Sequence, residues 1–419
     1  MKKILYIVLD GLGGTPDPKL NGKTELEVAK TPNMDALAKK AKLGLMDPIG
    51  PGIAPESDAA VLSILGYDVD KYYTGRGPLE AHGADIEVRD GDLAWRANFA
   101  TVNEETLEIL DRRAGRNLST EEAKALAEEV NQKVKLDGAD FVFKATVGHR
   151  GVLVIRKKDG KLSANVENID PGYKRHGPYS IAIANPPKEV QKCVPLDDSE
   201  EARESARLTN EFVMKAFEVL KNSEINKKRK AEGKKPANII LLRDAGDSLP
   251  KVPTLQSLYG LTFGSIVEMP VERGIALLTG MKEVPIEDST DYKLWAEKVL
   301  YALEHYDGVY AHLKGPDVPG HDGLYDKKIE SIEKIDSIFF ENLIPKLNLS
   351  KVVIAVTADH ATPCSLKSHS EDPVPLMVIT SGITPDGLDY FGESACAKGS
   401  LGRIKGTELM PLLVKIAKE

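Results

Sequence analysis

Three short, mostly apolar runs, 4–9, 308–313 and 352–357, each give way at once or within a few residues to an aspartate: Asp10, Asp317 and Asp359. Runs of this length without polar alternation suit strands buried on both faces of a parallel sheet. Open α/β sheets place ligands at the carboxyl ends of their strands, which is where these three carboxylates fall. Around them the pattern alternates between strand and helix. Thr31-Pro32 reads as an N-cap with proline in the first turn, ahead of a helix with apolar Met34, Leu37, Ala38 and Ala41. Helices at 292–304 and 327–343 and a strand at 376–380 continue the alternation near the other end. The fold expected is α/β, with a doubly wound, mostly parallel sheet.

Between these two parts the texture changes. Strands at 93–102, 141–146 and 152–156 and helices at 121–134 and 200–220 describe an inserted α+β domain. A chain of 419 residues more naturally makes two domains than one. The expected division is a discontinuous domain of residues 1–76 and 250–419 carrying the aspartates, and an inserted domain of residues 77–249. Arg76, within Gly75-Arg76-Gly77, is expected at the link, and the lysine-rich run 226–236 reads as a solvated loop.

Composition narrows the class of partner. A net charge of −8 gives no general basic footprint for nucleic acid, so an anionic small molecule would need local positive charge. Cys193, Cys364 and Cys396 have neither the number nor the spacing of a disulfide framework or zinc ribbon, and suit buried thiols in a reducing cytoplasm. Asp10 interrupts the apolar N-terminal stretch far short of a membrane span, and no other run approaches one. The expectation is a cytoplasmic protein without membrane or nucleic-acid partners. A homo-oligomer is compatible with the sequence, which sets no oligomeric state.

Histidines join the carboxylates. Asp317-Val-Pro-Gly-His321 spaces two ligands across a tight loop, Asp359-His360 supplies two adjacent ones, and His369 follows in the next loop. Mixed carboxylate and imidazole donors suit borderline divalent ions such as manganese or zinc better than calcium. Two such ions can clamp the attacking and leaving oxygens of a phosphoryl displacement. Ser57, after a loop rich in proline and glycine and at the start of the apolar helical stretch 59–65, is the candidate nucleophile: there a hydroxyl lies beside free backbone N–H groups, and a metal can activate it. As an N-cap, the same serine would merely satisfy one of those amides.

Four segments, IVLDGLGG, APESDAAVLSILGYD, LKGPDVPGHDG and TADHATPCSLKSH, resemble in order and spacing those of cofactor-independent phosphoglycerate mutases of the archaeal type, within the alkaline phosphatase superfamily. The resemblance runs over essentially the whole chain. It implies one metal held by Asp10, Ser57, Asp359 and His360 and a second by Asp317, His321 and His369, the ions being manganese, zinc or cobalt. It also implies that a phosphoserine forms on Ser57 and returns phosphate to the other hydroxyl of glycerate, so that phosphoglycerate is the substrate and 2,3-bisphosphoglycerate is not required. The insertion is implied to be a substrate domain that closes over the metals.

Candidate substrate contacts come from the residues themselves. His149 and Arg150 at a strand turn, Arg243 after the run 239–242, and Arg273 in a PVERG segment could each grip an anion. Asp170, in Asp170-Pro171-Gly172, is a candidate for proton transfer to the glycerate hydroxyls. The motifs specify chemistry more tightly than substrate. A phosphopentomutase, phosphomonoesterase or phosphonate hydrolase could use the same constellation with a different insertion. A non-catalytic, metal-stabilised binding protein is the remaining class, and a reactive serine in the ligand set argues against it.

Overall fold

The computed structural model describes residues 1–183 and 185–419. They form two compact units, Met1–Tyr72 with Val252–Glu419, and Tyr73–Lys251. Arg76 therefore lies inside the second unit, where it opens the helix Arg76–Gly83 and pairs with Glu80 at 2.9 Å.

The first unit is built on eight strands: β1 (Lys3–Leu9), β2 (Lys42–Asp47), β3 (Phe263–Val267), β4 (Lys282–Glu283), β5 (Gly308–Leu313), β6 (Val352–Thr357), β7 (Val374–Ile379) and β8 (Gly402–Lys405). Their spatial order is β4-β3-β5-β1-β6-β7-β2-β8. The five strands from β4 to β6 run parallel. β1 is central, and Ile4 to Leu9 have no exposed surface, the burial their unbroken apolar run foretold. β7, the strand expected at 376–380, runs antiparallel to both β6 and β2. No helix spans the segment between β6 and β7, so the chain has no crossover with which to return parallel.

β2 and β3 escaped the sequence reading because each carries a glycine where an apolar residue would have marked the strand. A Cβ on Gly264 would come within 2.6 Å of the Tyr306 ring, and one on Gly44 within 2.7 Å of the Gly402 carbonyl oxygen. Two helical expectations need correction. The helix expected at 327–343 is α-helical over Tyr325–Lys334, widens to π geometry over Ile335–Phe340 and tightens again over Glu341–Leu343. Thr31 gives the helix Pro32–Ala38 no side-chain cap. Its first amides are capped instead from the π segment, with Asp336 accepting from Asn33 N at 3.1 Å and Met34 N at 2.8 Å. That carboxylate supplies from a distance the acceptor that a helix start requires.

The second unit is an antiparallel sheet. Leu93–Val102 lies between Arg150–Lys157 and Ile239–Gly246, and Ala139–Ala145 extends the sheet beyond Arg150–Lys157. The amphipathic helices Thr120–Lys133 and Glu200–Lys221 bury Leu126, Val130, Phe212 and Leu220 in one core with Trp95, Phe99 and Phe143. The run 226–236 is not a solvated loop. The helix Glu224–Ala231 covers its first half and buries Asn226 and Arg229. The Arg229 guanidinium donates to Glu122, Asn117 and the Lys235 carbonyl, so one cation ties three segments together. All three cysteines are free and buried. Among the described residues no helix is long and apolar enough to cross a membrane.

Candidate active site

Strand adjacency creates the site. β5, β1 and β6 are neighbours in register, with Leu9 opposite Leu313 and Val8 opposite Thr357, so their carboxyl ends finish level. The residues that follow them, Asp10, Lys314 and Asp359, are thereby brought to one edge of the sheet. Gly11 makes the turn after Asp10 with φ of +66°, and a Cβ there would come within 2.8 Å of Asp317 Cα. Only glycine combines that backbone conformation with so close an approach.

Two ligand sets meet at this edge. Asp10, Asp359 and His360 place donor atoms within 4.8 Å of one another, as do Asp317, His360 and His369. His360 Nε2 lies 3.4 Å from Asp10 Oδ1 and 3.2 Å from Asp359 Oδ2. His321 Nε2 and His369 Nε2 lie 3.3 and 3.7 Å from Asp317 Oδ1. Ser57 Oγ stands 3.1 Å from His360 Nε2, at the first residue of the helix Ser57–Ile64. The cap position belongs to Glu56, so the serine hydroxyl is not committed to capping. All seven residues expected to hold metal or carry phosphate are thus brought together in one unit.

The donor set fits divalent ions on three observations. Each imidazole uses Nδ1 on an oxygen, His360 on Thr362, His369 on the Pro55 carbonyl at 2.7 Å and His321 on the Lys367 carbonyl at 3.2 Å. Nε2 of all three therefore points inward, an outer arrangement that orients metal-binding histidines. Next, the Nε2 atoms of His321 and His369 face each other at 3.1 Å, which two neutral lone pairs would not do without a proton or cation between them. Finally, Asp10 Oδ1 and Asp359 Oδ2 are buried with no hydrogen-bond partner among the described residues. Burial pushes the Asp359 carboxyl up and the Asp10 charge beside it pushes further, while Lys314 and His312 hold Asp10 low against its own burial. Even with Lys314 and His312 close by, Asp359 is pushed up to about 7, so keeping both carboxylates ionised calls for further positive charge.

Sequence reasoning missed the groups around Asp10. Lys314 Nζ bridges Asp10 Oδ2 at 2.7 Å and Asp317 Oδ2 at 3.0 Å. His312 Nε2 lies 3.1 Å from Asp10 Oδ2, and although burial would lower its pKa, Asp10 and Asp359 hold it at about 9. Glu272 is buried nearby with neither carboxylate oxygen hydrogen-bonded among the described residues. The one signal in the sequence was that Lys314 immediately follows the apolar run 308–313.

The candidate substrate contacts divide between the units. His149, Arg150 and Arg243 belong to the second unit and share a cationic cluster there. Burial lowers the His149 pKa to about 4, helped by Arg150, Arg243, Arg96 and Arg116. The Arg243 guanidinium stacks 4.1 Å from the Tyr173 ring centre and donates to Asp170 at 3.0 Å. Arg96 and Arg112, which the sequence did not single out, complete the surroundings, Arg112 pairing with Asp170 at 2.7 Å. Asp170 is buried, and Arg243 and Arg112 outweigh that burial to hold its carboxyl below the usual range. It is an anchor for two guanidiniums and a correspondingly weak base. Arg273 belongs to the first unit, where it forms a two-bonded pair with Glu283 at 2.6 and 3.0 Å.

Fold and site together define an α/β protein that gathers two candidate carboxylate and imidazole ligand sets around a serine at the carboxyl edge of a mostly parallel sheet. Residues 38–226 match the family described as 2,3-bisphosphoglycerate-independent phosphoglycerate mutase. The chain is 45% identical to the enzyme of that name from Aeropyrum pernix, over 96% of each chain. It is 41% identical to that of Thermococcus kodakarensis, over 99% of this chain and 97% of the other. The chain belongs to this family. Among solved structures it is similar to the PH0037 protein from Pyrococcus horikoshii, with TM-score 0.80 and 32% identity over 100% of this chain and 97% of that one. It is also similar to the cofactor-independent phosphoglycerate mutase from Thermoplasma acidophilum, with TM-score 0.65 and 33% identity over 100% of both chains.

Proposed function

We propose that the chain interconverts 2-phosphoglycerate and 3-phosphoglycerate through a phosphoserine on Ser57, without 2,3-bisphosphoglycerate. The observation that carries this reading is the convergence of Ser57 with Asp10, Asp359 and His360 beside Asp317, His321 and His369, in a chain whose relatives bear the mutase name over nearly their full length. Asp10, Asp359, His360 and Ser57 would hold one divalent ion and Asp317, His321 and His369 a second, of manganese, zinc or cobalt. Such ions would ease deprotonation of the serine and offset phosphoryl charge.

Ser57 Oγ attacks phosphorus, the bond from phosphorus to the glycerate oxygen breaks, and the serine proton ends on the freed glycerate hydroxyl. The other glycerate hydroxyl then attacks phosphorus, the bond from phosphorus to Ser57 Oγ breaks, and the proton of that hydroxyl passes to Ser57 Oγ. At the start of the helix Ser57–Ile64 the backbone amides favour the phosphate charge. Lys314, whose pKa Asp10 and Asp317 hold well above the ordinary lysine value despite burial, remains cationic between those two carboxylates. Arg150, Arg96 and Arg243 in the second unit, with neutral His149 among them, retain glycerate through its carboxylate between the two transfers. This assigns the metal and nucleophile to the first unit and glycerate retention to the second, and a role in glycolysis or gluconeogenesis in the cytoplasm.

The test is 3-phosphoglycerate labelled in both phosphate and carbon skeleton, diluted with unlabelled glycerate. The 2-phosphoglycerate formed should carry both labels together. Phosphate appearing in the added glycerate, or free phosphate as the main product, would overturn intramolecular return.

A further inference from the structure

Thr362 lies two residues beyond His360, is fully buried, and is a ligand of neither set. Its hydroxyl nevertheless touches both. Oγ1 donates to Asp317 Oδ1 at 3.0 Å, and because that bond uses the hydroxyl proton, Oγ1 accepts from His360 Nδ1–H at 3.0 Å. The first bond fixes one oxygen of the carboxylate in the second set. The second fixes the tautomer of the imidazole in the first set, leaving Nε2 as the lone-pair donor that faces Ser57 and Asp10.

The backbone of the same residue is held as firmly. Thr362 N donates to the Gly13 carbonyl at 3.0 Å. Lys328, itself buried, donates to both the Gly13 and Thr362 carbonyls, at 3.0 and 2.8 Å. The loop after β1 and the loop after β6 are thereby clamped to each other. The surroundings leave the side chain little room. A Cβ on Gly11 would come within 2.8 Å of Thr362 Oγ1, and one on Gly320 within 2.5 Å of the Thr362 carbonyl oxygen. The hydroxyl has two partners at hydrogen-bond distance, and its neighbours are packed against it from the loops that carry Asp10 and Asp317.

We propose that Thr362 is a positioning residue that couples the two ligand sets, its hydroxyl fixing His360 and Asp317 at once so that both sets depend on one side chain outside them. The inference rests on the metal reading given above. Replacing it with valine keeps the shape and removes both hydrogen bonds, whereas serine keeps both and removes only the methyl group.

The experiment titrates the chelator-stripped full chain with manganese by calorimetry and records the 15N spectrum of its histidines before metal is added. Thr362→Val should weaken binding at both sets by roughly 10- to 100-fold, the scale of lost outer partners. Thr362→Ser should bind within a few-fold of wild type. In the metal-free spectrum His360 should be the Nδ1–H tautomer in wild type and Thr362→Ser, and a mixture in Thr362→Val. Wild-type affinities in Thr362→Val, a loss confined to one set, or no rescue by serine would each overturn the coupling. A wild-type chain that takes up no manganese would instead defeat the metal reading, and the histidine spectrum would still decide what Thr362 does to His360.

Discussion

Removing the Ser57 hydroxyl separates chemistry from stability, because the structure gives that group almost nothing structural to do. The residue is 4% exposed, and its hydroxyl makes one hydrogen bond among the described residues, with His360 Nε2 at 3.1 Å. It caps no helix amide, since Glu56 holds the cap position. Ser57→Ala therefore forfeits one hydrogen bond, worth about 0.5–1.5 kcal/mol. For domains of 150–250 residues each kcal/mol lowers Tm by only about 2–4 °C. If Ser57 carries the phosphoryl group, turnover should instead fall by roughly 10⁴-fold or more, the scale on which removal of a covalent nucleophile acts. Acid quenching of enzyme mixed with 32P-labelled phosphoglycerate should trap label on the wild-type chain and none on the variant, with melting curves close together. Near-wild-type turnover in Ser57→Ala, or equal trapped label, would refute the assignment.

Chelation should abolish activity and added manganese, cobalt or zinc should restore it; metal uptake should release protons, measurable in weakly buffered solution, because ions compete with protons for imidazole and carboxylate. Arg150→Ala should raise KM or divert phosphate to water while leaving manganese stoichiometry unchanged; loss of metal from this variant would place Arg150 wrongly. Asp170→Asn should destabilise the protein by about 3 kcal/mol at pH 7, the cost of breaking a buried ion pair. The Asp170 carboxyl is depressed on folding, so its stabilisation is present above the unfolded pKa of about 3.9 and fades as pH falls through the folded value. Denaturation midpoints of the two proteins should therefore converge in acid, and a gap that persists at low pH would show that charge is not the cause. Lys328→Met should weaken manganese binding while leaving both ligand sets in the sequence, since it unclamps the Gly13 and Thr362 carbonyls; unchanged affinity would remove the clamp from the account.

The candidate chemistry-bearing residues were legible in the sequence because their signal is local. A strand buried on both faces must be a continuous apolar run, so its end is visible, and Asp10 and Asp359 stand just beyond two such ends. His321, His360 and His369 are close in sequence to an aspartate or to one another, and Ser57 stands at the start of an apolar helix. What the sequence could not supply was adjacency. Nothing within residues 4–9 states that they lie between 308–313 and 352–357, yet that order levels the three strand ends and brings the ligand sets within reach. For the same reason the partners that act across long separations appear only in three dimensions. Lys314 bridges two aspartates, Asp336 caps a helix some three hundred residues away, Thr362 bonds both His360 and Asp317, and Asp170, a proton-transfer candidate in the sequence, anchors Arg112 and Arg243. A side chain's type and its local element follow from its immediate neighbours in the chain. Its charge state and hydrogen-bond partners follow from whichever distant groups burial forces against it, and only the tertiary structure decides which those are.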